Sequence, residues 1–479
     1  MNQIQKYLFK SITLIVLLIP FGIYAQTEAE TYVWPTDSLV KKNLDKWQDQ
    51  KFGVLITWGL YSHKGILESW GLCPEDEEWI GRNGYANYFS YANDYRNTRA
   101  QFNPVNFNPE SWAKMCRDGG VKYMIFVTKH HDGFSMFDTK YSDFRITNKL
   151  CPFSTNPKAN VSKEIFEAFR EQGLSVGAYF SKPDWTCPDF WWPYLSPKDR
   201  NPNYDISKHP DKWKNYVKYT QNQIGELVSE YGKLDILWLD GCWVRPLNTI
   251  NAHVADFCKY PYDMDINMSQ IAANARQHQP GILVVDRWVP GPYEDYLTPE
   301  QKTPEKALQV PWESCITLAN DWGWTPKANY KTSREVIQLL VNIVAKGGNL
   351  LLGIGPNGKG EFDSTVYQRM EEIGTWLKVN GDAIYGTRPT EPFKEGNVAY
   401  TQKGSNTLFA IYMPAKEGEI PETVFIRTSM KGKIKVSLPA MKQNLSFKKT
   451  ADGINVEIPA KIQSAMAKEP AIVIRVQLL

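Results

Sequence analysis

Hydrophobic and polar positions fall into two textures along this chain. Between roughly residues 50 and 380, short apolar runs alternate with segments whose apolar residues recur at helical spacing. The runs at 52–59, 123–128, 175–181, 236–239, 282–285 and 349–354 read as strands buried on both faces, and Pro311-Trp312-Glu313 opens another. Helical spacing marks 110–117, 163–171, 212–231, 270–277 and 333–346, the first stopped by Gly119-Gly120. Seven or eight such strand–helix units predict a parallel sheet, and a closed (β/α)8 TIM-like barrel over an open sheet. After Gly381 the texture becomes short alternating runs separated by Gly, Pro, Asn and Lys, which predicts a small C-terminal antiparallel β-sandwich. The expected organisation is therefore a barrel over 30–385 and a sandwich over 390–479.

The first 25 residues read as an address. Lys6 and Lys10 give a basic start, an apolar stretch runs over 12–24, and Ile23-Tyr24-Ala25 is a plausible cleavage site. No later segment approaches the ~20 apolar residues of a membrane span. The mature chain is expected to begin near Gln26 and to be exported, to the periplasm or the extracellular space.

Composition narrows the function classes. A net charge of +3 with no long run of one sign gives no support for a nucleic-acid or membrane-surface partner. No GxGxxG follows the first strand, which argues against a dinucleotide fold, and no cofactor is expected. The seven cysteines, Cys73, Cys116, Cys151, Cys187, Cys242, Cys258 and Cys315, are odd in number and form no CxxC pair, so neither a disulfide framework nor a zinc signature is expected. The 17 Trp suit a sugar-binding site, although core packing alone could absorb many of them.

The polar residues of the first half collect just after strands: Thr57-Trp58, Lys129-His130-His131, Tyr179, Trp238 and Asp240, Arg287, and Trp312-Glu313. Asp240 is the most telling. It ends a strand, where an acid facing a cleft can do chemistry, whereas one along a buried strand costs several kcal/mol unless paired. The plain alternative is that Asp240-Gly241 merely caps a turn. His130 and His131 would suit a metal, but no further His or acid recurs at metal spacing, so no metal is expected and ligand hydroxyls fit better. Carboxylates, an arginine, paired histidines and tryptophans without a phosphate loop point to glycosidic cleavage by two carboxylates.

Six segments carry a more specific signal. Lys51-Phe-Gly-Val-Leu-Ile-Thr-Trp-Gly-Leu-Tyr61, Thr128-Lys-His-His-Asp-Gly-Phe134, Leu237-Trp-Leu-Asp-Gly241, Trp312-Glu313, Asn349-Leu-Leu-Leu-Gly-Ile-Gly-Pro356 and Trp376-Leu-Lys-Val-Asn-Gly-Asp-Ala-Ile-Tyr-Gly386 resemble, in order, the retaining α-L-fucosidases of glycoside hydrolase family 29. The resemblance implies that Asp240 is the nucleophile of a double displacement on terminal α-L-fucosyl groups of an oligosaccharide or glycoconjugate. It implies sugar contacts for Glu78, Trp79, His130, His131, Tyr179, Trp238 and Arg287, and an aromatic against the sugar's methyl face at Trp322. It places the general acid/base at Glu300, in the run Asp295-Tyr-Leu-Thr-Pro-Glu300, with Glu294 as the competitor. The chain departs from the pattern once: Thr57 stands where the family carries a histidine on the sugar's 4-hydroxyl. Three readings follow: an α-L-fucosidase, a relative that prefers another glycone such as L-galactose, and a silent sugar-binding protein.

Overall fold

The computed structural model describes residues 29–76, 82, 84–250 and 262–479. The leader, Glu78, Trp79 and Cys258 lie outside the described residues. Seven strands form one parallel sheet: β1 (Phe52–Ile56), β2 (Tyr123–Lys129), β3 (Ser175–Ser181), β4 (Ile236–Asp240), β5 (Leu283–Asp286), β6 (Glu313–Thr317) and β7 (Asn349–Ile354). Their order is β5-β4-β3-β2-β1-β7-β6, each neighbour paired in parallel. The strands are buried almost throughout, which is why they read as continuous apolar runs.

The sheet curls into a barrel, but the expected eighth strand is not there. Between β5 and β6 an irregular segment fills the gap, bridging Glu294 to Val285, Leu297 to Trp312 and Glu300 to Cys315. Asp295 supports it from both sides: its amide donates to Val284 O at 2.9 Å, and its carboxylate accepts from Val284 N at 2.7 Å and pairs with Arg276 at 3.1 Å. Proline at 299 and the glycine- and proline-rich stretch before it are poor ladder formers, so the closure is made by single bridges rather than a strand.

Helices cover the outside: α1 (Ser38–Gln50), α2 (Leu60–Lys64), α3 (Tyr88–Asn97), α4 (Pro109–Asp118), α5 (Val161–Glu171), α6 (Pro210–Glu230), α7 (Met268–His278), α8 (Ser333–Ala345) and α9 (Ser364–Asn380). Several starts are capped by side chains. Asp37 accepts from Leu39 and Val40 amides, Asn108 from Ser111, and Thr332 with Glu335 forms a reciprocal capping box before α8. No helix among the described residues is long and apolar enough to cross a membrane.

The C-terminal part holds two antiparallel sheets, a six-stranded one with Arg388–Glu395 at one edge and Ile472–Leu478 inside it, and a three-stranded one. They enclose their own core, including Tyr400, Ala410, Ile426, Val456 and Ile474. The alternate positions Ala399, Phe409, Ile411 and Val473 face the other way and join the barrel's core. The Trp376 indole N–H, on α9, donates to Ala471 O at 3.0 Å, tying the two parts together.

Candidate active site

The carboxyl ends of the strands open into a cavity of about 190 Å³ lined by Thr57, His130, His131, Tyr179, Trp238, Asp240, Arg287, Glu300 and Trp322. Every described residue for which sequence reasoning expected a sugar contact is therefore in one place, together with Asp240 and Glu300. Its floor is buried: Thr57, Tyr179, Trp238 and His131 are at most 3% exposed. Its rim is more open, with the Glu300 side chain 28% exposed. This is a dead-end pocket.

Asp240 is the last residue of β4, and its backbone carbonyl pins the neighbouring loop by accepting from Lys182 N at 2.8 Å. The chain must turn away at once, and Gly241 does so at φ +89; a Cβ there would lie 2.2 Å from Pro183 Cδ. The Asp240 carboxylate accepts from the Tyr179 hydroxyl at 2.7 Å on Oδ2 and from the Arg287 guanidinium at 2.9 Å on Oδ1. Burial is the largest single effect and opposes its ionisation, but Arg287, His131 and the Tyr179 hydroxyl together outweigh it, and the carboxyl is held well below the usual carboxylate range. Burial, reinforced by Asp240, pushes the Tyr179 phenol well up, so it remains a donor.

Arg287 follows directly on β5 and joins the two acids: one terminal nitrogen bonds Asp240 and the other bonds Glu300. Its guanidinium also stacks over Trp238 and Trp288, at 5.0 and 4.4 Å from the ring centres. Trp288 sits at φ +58, a left-handed conformation that a non-glycine residue adopts at a cost of about 1–2 kcal/mol. Glu294 holds that turn by accepting from the Trp288 amide at 2.9 Å. Glu294 is 3% exposed and does not line the cavity, so of the two candidate acids only Glu300 is in the site.

The paired histidines follow a register shift between Val127 and Lys129 that re-aims the end of β2. His130 Nδ1 shares a 2.5 Å hydrogen bond with the Ser69 hydroxyl, and His131 Nε2 lies 3.7 Å from Asp240 Oδ2. Burial drives both pKa values down, that of His130 to about 4 and that of His131 well below its ordinary value with His130 adding to the effect. Both rings are neutral at pH 7, suited to hydrogen bonding with hydroxyls. Lys129 turns the other way, into a buried pair with Asp184 at 3.2 Å.

Not every polar residue after a strand reaches the pocket. Trp312 faces outward into the core beneath the helices, whereas Glu313 points into the barrel interior, where it accepts from the Tyr123 hydroxyl at 2.6 Å and burial pushes its carboxyl up to about 8. Conversely, sequence reasoning missed Trp70, Arg200, Trp243 and Trp288 in the lining. The expected sugar-binding pair Glu78-Trp79 lies outside the described residues, while nearby Glu68-Ser69-Trp70 contributes Trp70 to the wall. Glu68 is buried and accepts from the Gly323 amide at 2.7 Å, which fixes the turn beside Trp322; burial raises its carboxyl to about 7, against that amide's pull. A second Glu and Trp close by was the available signal.

The family model described as alpha-L-fucosidase matches residues 22–382. The chain belongs to the α-L-fucosidase family. It is similar to the plasma alpha-L-fucosidase of Rattus norvegicus, 29% identical over 418 residues and covering 83% of each chain. The tissue alpha-L-fucosidase of Homo sapiens is 29% identical over 461 residues, 91% of this chain and 89% of that one. Among solved structures, alpha-L-fucosidase isoenzyme 1 from Paenibacillus thiaminolyticus superposes with a TM-score of 0.73 at 28% identity, over 92% of this chain and 100% of that one. As a member of the α-L-fucosidase family the chain is a glycoside hydrolase, with a curled parallel sheet and C-terminal antiparallel sheets.

Proposed function

We propose that this α-L-fucosidase family member is an exported, retaining exo-glycosidase that removes terminal α-L-fucosyl groups from oligosaccharides or glycoconjugates. The observation that carries the reading is the Arg287 fork, which bonds Asp240 and Glu300 together in a dead-end pocket. Two carboxylates gripped by one guanidinium are close neighbours. An arginine that bridges both acids holds them within reach of one glycosidic bond, as double displacement by two acids requires.

In this reading Asp240, kept ionised by Arg287, attacks the anomeric carbon as the glycosidic bond breaks, and Glu300 gives its proton to the leaving oxygen. A water then enters; Glu300 takes its proton while the water oxygen displaces Asp240, restoring both acids and retaining the anomeric configuration. Tyr179 donates to Asp240, and His130, His131 and Trp238 orient the glycone. A pocket closed at its floor admits a chain end only, which is the basis of the exo assignment.

Export rests on the basic start at Lys6 and Lys10, the apolar stretch 12–24 and the site after Ala25. Protein secreted or released from the periplasm should begin near Gln26 on N-terminal sequencing; an intact Met1 in that fraction would refute cleavage.

A second reading concerns the glycone, because Thr57 lies in the pocket lining at 2% exposure. Threonine is shorter than histidine and reaches a 4-hydroxyl only through a water or a shifted sugar. If α-L-fucose is the substrate, Thr57→His is expected to raise kcat/KM for aryl α-L-fucosides, by about tenfold for each ~1.4 kcal/mol gained. If the pocket has repacked for L-galactose, activity on both sugars falls by an overpacking cost of ~1–3 kcal/mol. Kinetics on α-L-fucosyl and α-L-galactosyl aryl glycosides for parent and variant decide between them. An unchanged ratio of the two sugars would remove Thr57 from recognition.

A further inference from the structure

The pocket rim carries an arginine that the catalytic account does not use. Arg200 belongs to the long connection between β3 and α6, far from Asp240 in sequence, yet its side chain lines the same cavity. It is placed with care. Two buried indoles hold its backbone: Trp185 Nε1 donates to Arg200 O at 3.3 Å, and Trp191 Nε1 donates to Asn201 O at 2.8 Å. The guanidinium then lies over two adjacent indoles, 5.6 Å from the Trp70 ring centre and 5.2 Å from that of Trp243. Its Nε donates to Glu75 Oε2 at 3.0 Å. A rotamer-rich side chain fixed by two rings and a carboxylate is preorganised, so little entropy remains to be lost when it meets a ligand.

The second observation lies beside it. Trp243 is 4% exposed and its indole N–H has no hydrogen-bond partner among the described residues, although the ring forms part of the pocket wall. A buried donor without a partner is unfavourable, and a ligand oxygen that met it would relieve that cost. Arginine and an indole N–H are both donors only, so the group they meet must present acceptor oxygens. Glu75 already balances the Arg200 charge, and a further carboxylate would face both Glu75 and the nearby Glu300. The preferred ligand is therefore neutral.

Position along the substrate follows from burial. The groups about the floor, from Thr57 to Trp238, are at most 3% exposed, whereas the Arg200 side chain is 14% exposed and Trp70 is half-buried. In a pocket that takes a terminal sugar, the rim meets what that sugar is attached to. We propose that Arg200, with Trp70 and Trp243, forms the subsite for the leaving-group sugar and selects neutral saccharides through their hydroxyl or acetamido oxygens. The inference rests on the exo-glycosidase reading above.

The test compares substrates that share a glycone. Parent enzyme, Arg200→Met and Glu75→Gln are assayed on 2-chloro-4-nitrophenyl α-L-fucoside, which has no leaving sugar, and on α-L-fucosyl disaccharides ending in galactose or N-acetylglucosamine. Arg200→Met is expected to lower kcat/KM on the disaccharides at least tenfold more than on the aryl fucoside, chiefly through KM. Glu75→Gln should shift the ratio the same way by a smaller factor, and keeps the question answerable if the arginine variant does not fold. Equal losses on both substrate types would make Arg200 a loop clamp and overturn the subsite. A parent enzyme inactive on the aryl fucoside and on every disaccharide would instead refute the fucosidase reading itself.

Discussion

Replacing Asp240 by glycine is expected to lower kcat/KM for an aryl α-L-fucoside by at least ~10⁴-fold, or about 5.5 kcal/mol of transition-state stabilisation. The reasoning is local. Asp240 Oδ1 and Oδ2 are engaged by Arg287 and Tyr179, which fix the carboxylate at the mouth of β4 and keep it ionised. Glu300, the other carboxylate among the lining residues, bonds Arg287 but not Tyr179. The variant should still fold, because Asp240 ends its strand and Arg287 retains Glu300 as a partner. The buried Tyr179 hydroxyl loses an acceptor, at a cost of about 1–3 kcal/mol in stability. Sodium azide should partly restore turnover by entering the vacated space and attacking the same face of the sugar, giving a β-L-fucosyl azide. Circular dichroism checks the fold, steady-state kinetics the loss, and NMR the azide product. Near-parental activity would end the assignment of Asp240 as nucleophile.

Removing Glu300 should have an effect that depends on the leaving group. With Glu300→Ala, substrates with poor leaving groups, such as fucosyl disaccharides, should slow by ~10²–10⁴-fold, the usual worth of a positioned acid. A dinitrophenyl fucoside, whose leaving group needs no proton, should form its glycosyl-enzyme at close to the parental rate, leaving the second step limiting. Glu294→Ala should not show this dependence. Glu294 accepts from the Trp288 amide under a left-handed turn, so its loss should disturb Trp288 and the Arg287 stacked on it, slowing all substrates alike. A Brønsted plot of rate against leaving-group pKa for the two variants separates them. A steep slope for Glu294→Ala with a flat one for Glu300→Ala would reverse the assignment.

The strands were legible because a buried parallel strand leaves a continuous apolar run; 175–181 and 349–354 match the observed β3 and β7 end to end. Polar residues just past such runs then mark the cleft, which is how Thr57, His130, His131, Asp240 and Arg287 could be gathered from the sequence. The rule failed where the strand end pointed inward: Glu313 begins β6 rather than ending it, and so lies deep in the barrel. It was silent where no strand existed, as in the segment that closes the barrel and carries Glu300. Trp70, Arg200 and Trp243 were missed for a related reason. Loop residues have no period, and the contacts that place them join positions 130 and 43 apart in the chain. The choice between Glu300 and Glu294 needed the same information, since both lie in one acidic stretch and only the fold separates cavity from turn.

The central claim is that Asp240 and Glu300 act by double displacement, and the stereochemistry of the first-formed product tests it most directly. An α-L-fucoside is incubated with a high concentration of enzyme in the NMR tube, and anomeric proton signals are followed before mutarotation scrambles them. The account predicts that α-L-fucose appears first and the β anomer grows in later. Initial release of β-L-fucose would mean single displacement by water and would contradict a covalent role for Asp240.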